Sequence, residues 1–171
     1  MQKAQLLHQL QTERDNWEHV LNFVGSMRLG IGGVTGRWSV RDIVAHVMMR
    51  EQYLADRLHE IQHNEPQPAC KTQDELETFL ADFDYPDFES PLLSEHAANE
   101  WVVQKYKNTP FKDLVVIELQ AYDAIYESVK ALSEEQLARH GLFDRVFHYT
   151  IDHYRQYTAD IHKHFKAPLK H

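Results

Sequence analysis

The stretch Trp38-Ser39-Val40-Arg41-Asp42-Ile43-Val44-Ala45-His46-Val47 decides the fold, because a glycine-rich loop ends there in a fully specified helix start. The Ser39 hydroxyl is placed to accept from backbone N–H groups of the first turn. Asp42, three residues on, can reach back to close a capping box, and its charge suits the positive end of the helix dipole. Past the cap, Val40, Ile43, Val44, Val47, Leu54, Leu58 and Ile61 recur at three- and four-residue intervals, which predicts a helix to about Gln62 with one core-facing side. At roughly 100° per residue His46 falls beside that stripe, with Arg50, Tyr53 and Arg57. It is the first candidate for chemistry.

Working outward toward the start, the glycines at 25, 30, 32, 33 and 36 break any helical pattern and make residues 25–37 a loop. Before it, Leu6, Leu7, Leu10, Trp17, Val20, Leu21 and Val24 share one broad face and predict a helix from about Lys3 to Val24. Toward the other end, Pro66 and Pro68 close the second helix. Thr72-Gln73-Asp74-Glu75 caps a short helix, and an acidic connection crosses from Asp82 to Pro91. Helical character is expected again from Leu92 to Lys107, carrying Trp101. It restarts with Thr109 as cap and Pro110 in the first turn. Leu114, Ile117, Ala121, Ile125, Ser128 and Leu132 form the seam of that next helix, and Glu118 falls within it. A carboxylate there requires a basic or hydrogen-bonding partner, or a polar pocket. Ser133 caps a brief turn ending at Gly141, and a last long helix from Leu142 uses Phe143, Phe147, Thr150, Ile151, Tyr154, Thr158, Ile161 and Phe165 for its core face.

These segments, with no strand alternation and no internal repeat, predict an all-α bundle in a single domain spanning residues 1–171. The 171 residues are 43% apolar, enough for one core, and no run approaches the roughly 18 apolar residues of a membrane span. A lone cysteine, Cys70, forbids an internal disulfide; with no secretory pattern at the start, a cytoplasmic location is expected. A formal charge of −8 spread along the chain argues against nucleic-acid and anionic-membrane partners. The expected partners are a small-molecule ligand or substrate and a second copy of the chain in a homodimer.

On the last helix His153 and Tyr157 lie four residues apart on one flank of the apolar stripe, with Asp160 and His164 beyond them. Two imidazoles and a third donor from facing helices would make a site open to a metal, a water or a substrate. Among twelve histidines such spacing also arises by chance, so the pattern alone does not make a site. His148 with Asp152, and Asp160 with His164, read as solvated ion pairs. The histidines 162, 164 and 171 form a tail that could bind metal adventitiously. Arg50, Tyr53, Trp101 and Glu118 complete the expected pocket around His46, His153 and Tyr157.

Gly36-x-Trp38-Ser39-Val40-Arg41-Asp42-Ile43-x-Ala45-His46-Val47, then Asn99-Glu100-Trp101 and Tyr106, then His153-Tyr154-Arg155, resemble the DinB-like superfamily, and within it the DfsB/ClbS-type four-helix bundle proteins. The resemblance implies an up-down-down-up bundle with short additional helices in a long crossover. It also implies a divalent metal, zinc or nickel, held by one histidine on the second helix and two on the last. His46 and His153 match two of these, while Tyr157 stands where the third histidine is usual. A neutral phenol is a poor ligand, so the metal is expected to be weak or absent. The implied activity is hydrolysis of, or thiol transfer to, an electrophilic small molecule, with His46, His153 and Tyr157 as the catalytic set. The alternative is a non-catalytic binding, stress or self-protection protein.

Overall fold

Helix α1 (Lys3–Val24) buries Leu6, Leu10, Trp17, Val20 and Val24, the face marked by its apolar spacing, and buries Arg14 among them. In the computed structural model, which describes residues 1–166, a short 3-10 turn (Ser26–Arg28) leads into the glycine-rich loop. There a tight turn forms: Trp38 N–H donates to the Thr35 carbonyl and Val34 N–H to the Trp38 carbonyl, both at 2.9 Å. Gly36 makes this possible with a φ of +56°, a conformation that costs glycine nothing. Thr35 Oγ1 then donates to Asp160 Oδ2 at 2.7 Å, pinning the loop to the far end of the chain.

Helix α2 (Val40–Gln62) starts at the predicted capping box, with Asp42 N–H donating to Ser39 Oγ at 3.2 Å and Ser39 N–H to Asp42 Oδ2 at 3.0 Å. Every residue from Ile43 to Met49 is buried, so this half of the helix is surrounded on all sides. Helix α3 (Gln73–Phe83) is capped by Thr72 and leans Phe79 on Tyr53. Helix α4 (Glu95–Tyr106) starts three residues later than its expected Leu92, because the Ser94 hydroxyl accepts from Ala97 N–H and fixes the cap there. Helix α5 (Phe111–Ala131) follows with Pro110, not Thr109, at the cap position. Its buried face is Leu114, Glu118, Ala121, Tyr122, Ile125 and Val129, turned slightly from the expected seam so that Ile117 and Ser128 are only half-buried.

After α6 (Glu134–Arg139), the expected last long helix is two: α7 (Leu142–Tyr149) and α8 (Ile151–Phe165). Thr150, at φ −120° and ψ −76°, interrupts the helical ladder, and its hydroxyl donates to the Val146 carbonyl at 2.6 Å. The break offsets the buried face, so α7 buries Leu142, Val146 and Tyr149 and leaves Phe143 and Phe147 half-buried. Thr has no strong breaking propensity, so the interruption is imposed by packing and left no mark in the sequence pattern.

The architecture is all-helical: α2 packs chiefly along α5 and α1 along α8, while α4 packs on α2 and α7 leads directly into α8. One contiguous apolar core joins them. Among the described residues the only β-pairing is an isolated bridge between Thr35 and Trp38, and no helix is long and apolar enough to cross a membrane. His171, at the end of the histidine tail, lies outside the described residues.

Candidate functional site

His46 and Arg50, one turn apart on α2, face His153 and Tyr157, one turn apart on α8, across a cavity of about 350 Å³. Helix α7 adds His148 and Tyr149 to its wall, α4 adds Glu95, and Asp152 and Gln156 complete it. The His46 and His153 ring centroids are 5.2 Å apart, and each lies 5.8 Å from the Tyr157 ring. Trp38, held by the glycine turn, covers His46 at 4.9 Å and Tyr157 at 6.5 Å. Arg50, Glu95, His148 and Tyr149 also line a neighbouring cavity of about 510 Å³ that reaches Phe88, Glu89 and Ser94.

The end of α7 fixes the orientation of the His153 ring. His153 Nδ1 lies 3.1 Å from the carbonyl oxygen of Tyr149, the last residue of α7. A carbonyl can only accept, so Nδ1 carries the proton and Nε2 carries the lone pair. Burial, the His148 ring and the Arg50 charge lower the His153 pKa to about 4. Burial first, then His153 and Arg50, holds His46 well below the ordinary histidine value, with a hydrogen bond to Asn99 acting in the opposite direction. Both imidazoles are therefore neutral at pH 7. His46 Nδ1 is enclosed and has no hydrogen-bond partner among the described residues. Burial pushes the Tyr157 phenol up to about 12 even with Arg50 near, so it keeps its proton.

Two imidazoles on one tetrahedral ion put their ring centroids roughly 5 Å apart, a spacing that His46 and His153 meet. The third position does not fit. Tyr157 offers a protonated oxygen, and among the described residues no three His, Cys, Asp or Glu side chains are grouped to hold a metal ion. The donor set thus falls one anion or imidazole short of a resident zinc or nickel centre.

Of the other residues expected in the pocket, Arg50 lines the cavity. Tyr53 lies deeper along α2, where its hydroxyl donates to Asp87 Oδ1 at 2.6 Å. Trp101 is half-buried on α4 with Lys105 Nζ 5.9 Å above its ring. Glu118 is buried in a separate polar cluster, accepting from Arg14 Nη1 and, at 3.2 Å, from Trp17 Nε1. His148 and Asp152, expected as a solvated pair on one helix, belong to two helices and both line the cavity. Asn99, which accepts from Arg50 Nη2 at 3.2 Å, was legible only as part of a motif. Comparison with protein-family models, with curated proteins and with solved structures finds no match for this chain.

Proposed function

We propose that this chain is a DinB-like protein of the DfsB/ClbS type, an up-down-down-up four-helix bundle that transfers a small thiol to a small electrophilic molecule in the cavity between α2 and α8. The observation that carries this reading is the fixed tautomer of His153, which leaves a lone pair on Nε2 of a cavity-lining, neutral imidazole. The same numbers discriminate between nucleophiles. Moving a proton from a thiol of pKa about 8.5 to a base of pKa about 4 costs roughly 6 kcal/mol, and moving one from water costs roughly 16 kcal/mol. Thiol is the feasible partner.

In the proposed step the S–H proton passes to His153 Nε2. Sulfur then bonds to the electrophilic carbon as the bond from that carbon to its leaving atom breaks. The departing atom takes the electron pair, and the imidazolium returns its proton to that atom where it is basic, or to solvent where, as for chloride, it is not. The Tyr157 hydroxyl, neutral at working pH, donates to the negative charge that develops. The thiol must come from a small molecule, because Cys70 is buried, its own thiol is pushed up to about 11, and it sits in the connection between α2 and α3.

A second reading, sequestration of the electrophile without turnover, is favoured by Tyr157 in the place of a third imidazole. The test follows thiol addition to chlorodinitrobenzene with mercaptoethanol. Wild-type protein accelerates the reaction at pH 7, and His153→Gln lowers the acceleration about 100-fold. Because the base is neutral above its pKa, the rate holds to about pH 5 and falls as the pH drops through about 4. Saturable binding with no acceleration would establish sequestration instead.

A further inference from the structure

We infer that Arg50 anchors a carboxylate of the bound molecule, which makes the cavity a site for carboxylate-bearing electrophiles. The inference rests on the reading of this cavity as a small-molecule site. Three arginines are drawn in from water along the inner faces of α1 and α2. Arg14 holds Glu118, and Arg57 holds Glu60 through Nε at 2.9 Å and Nη2 at 2.8 Å. Arg50 is the exception: none of the ion pairs among the described residues includes it. Its Nη2 donates to the neutral Asn99 amide, and its Nε is enclosed without an acceptor. Its guanidinium lies 4.3 Å from the centroid of the Phe88 ring, which holds the plane in place.

A withdrawn guanidinium with no carboxylate partner is costly to keep unless a bound anion supplies the missing counter-charge. Arg50 lines both the 350 Å³ cavity with His153 and the adjoining 510 Å³ cavity. With Nε enclosed, the Nη end of the guanidinium is what Arg50 offers to the cavities, and its paired N–H groups match the two oxygens of a carboxylate. The carboxylates already nearby do not fill this role. Glu89 is taken by Arg145 and the Tyr149 hydroxyl, and Glu95 and Asp152 are exposed at the rim. Those two rim charges also select the ligand. A single guanidinium balances one negative charge, whereas a phosphate dianion would meet Glu95 and Asp152 with its second charge uncompensated. A molecule held at Arg50 by its carboxylate has its remaining atoms in the cavity walled by His46, His153 and Tyr157.

The test uses unreactive probes, so it needs no turnover. Calorimetric titration of the full chain with nitrobenzoate and with nitrobenzamide is expected to show the carboxylate binding about tenfold more tightly. Arg50→Gln should erase the difference, Arg50→Lys should keep only part of it, and inorganic phosphate should not displace nitrobenzoate at equal concentration. Equal affinity for the two probes, no binding of either, a preference that survives Arg50→Gln, or displacement by phosphate would each overturn the assignment. Should Arg50→Gln fail to fold, the ratio in wild type and its decline in Arg50→Lys decide the matter. A carboxylate preference in a protein that adds no thiol to a chlorodinitrobenzoate would leave the anchor standing and overturn the transferase reading.

Discussion

Arg14, Glu118 and Glu51 show how much a single buried charge commits its neighbours to. Arg14 is 5% exposed, Glu118 2% and Glu51 0%. The guanidinium bonds Glu118 directly, lies 4.0 Å from Glu51, donates to the Tyr154 hydroxyl at 3.2 Å, and reaches the half-exposed Glu18 with Nε at 2.8 Å. One cation cannot neutralise both buried carboxylates. Burial, then the Glu118 charge, holds Glu51 well above the ordinary carboxylate range, against the pull of Arg14. A carboxyl whose folded pKa is raised contributes stability that is full below its unfolded pKa and is lost as pH rises through the folded one. Wild-type protein therefore loses stability from about pH 4.5 upward on account of Glu51. Glu51→Gln, which mimics the neutral acid, should remove that slope at little cost, while Glu118→Ala should cost about 2–3 kcal/mol, because Arg14 loses its direct buried partner and keeps Glu18 and the more distant Glu51. Denaturant melts of the three proteins at several pH values check both, and a Glu51→Gln slope identical to wild type would refute the protonated assignment. The demand for a partner at Glu118 was readable from its place on an apolar seam. Its partner was not, because Arg14 sits among Glu13, Asp15 and Glu18 in what reads as a solvated run and lies 104 residues away.

At the level of elements, caps were legible and breaks were not. Local chemistry writes a cap into three or four residues, so Ser39, Thr72 and Ser133 could be assigned from their neighbours alone. Ser94 lacks the acidic or amide residue three positions on that marks the other caps, and the apolar Leu92 and Leu93 before it extend the helical pattern, yet the chain exposes Leu92 and starts α4 after the serine. The interruption at Thr150 is a tertiary event, and it divides the cavity wall between the end of α7, with His148 and Tyr149, and the start of α8, with Asp152 and His153. The Ser39 cap carries the helix that presents His46 and Arg50. Ser39→Ala removes the acceptor of the Asp42 N–H and is expected to cost about 1 kcal/mol in chemical denaturation. Ser39→Thr, which keeps both the acceptor and the hydroxyl that donates to Asp42 Oδ2 at 3.0 Å, should recover most of it. A loss of equal size in both variants would place the cost in packing around Ser39 and not in the cap.

Across the whole molecule, apolar periodicity specifies that helices form and which faces they bury, but not which helix lies beside which. The pairing of α2 with α5 and of α1 with α8 leaves α2 and α8 with little direct contact, so they face one another across the cavity through His46 and His153. A ligand that bridges them would tie together two elements that packing alone joins weakly, and its binding would register in global stability. Wild type supplies two imidazoles and a protonated phenol, so zinc should shift its melting temperature little. Tyr157→His completes a three-imidazole set on the same spacing, and at zinc about 100-fold above its dissociation constant it gains roughly 2.7 kcal/mol, or about 5–10 °C for a chain of this length. Adding His46→Ala to that variant removes the α2 ligand and should abolish the gain. The histidines 162, 164 and 171 are common to all three proteins, so any adventitious binding there cancels in the comparison. Equal zinc-induced shifts in the three would mean that α2 and α8 do not converge on one ion, and the shared site would be withdrawn.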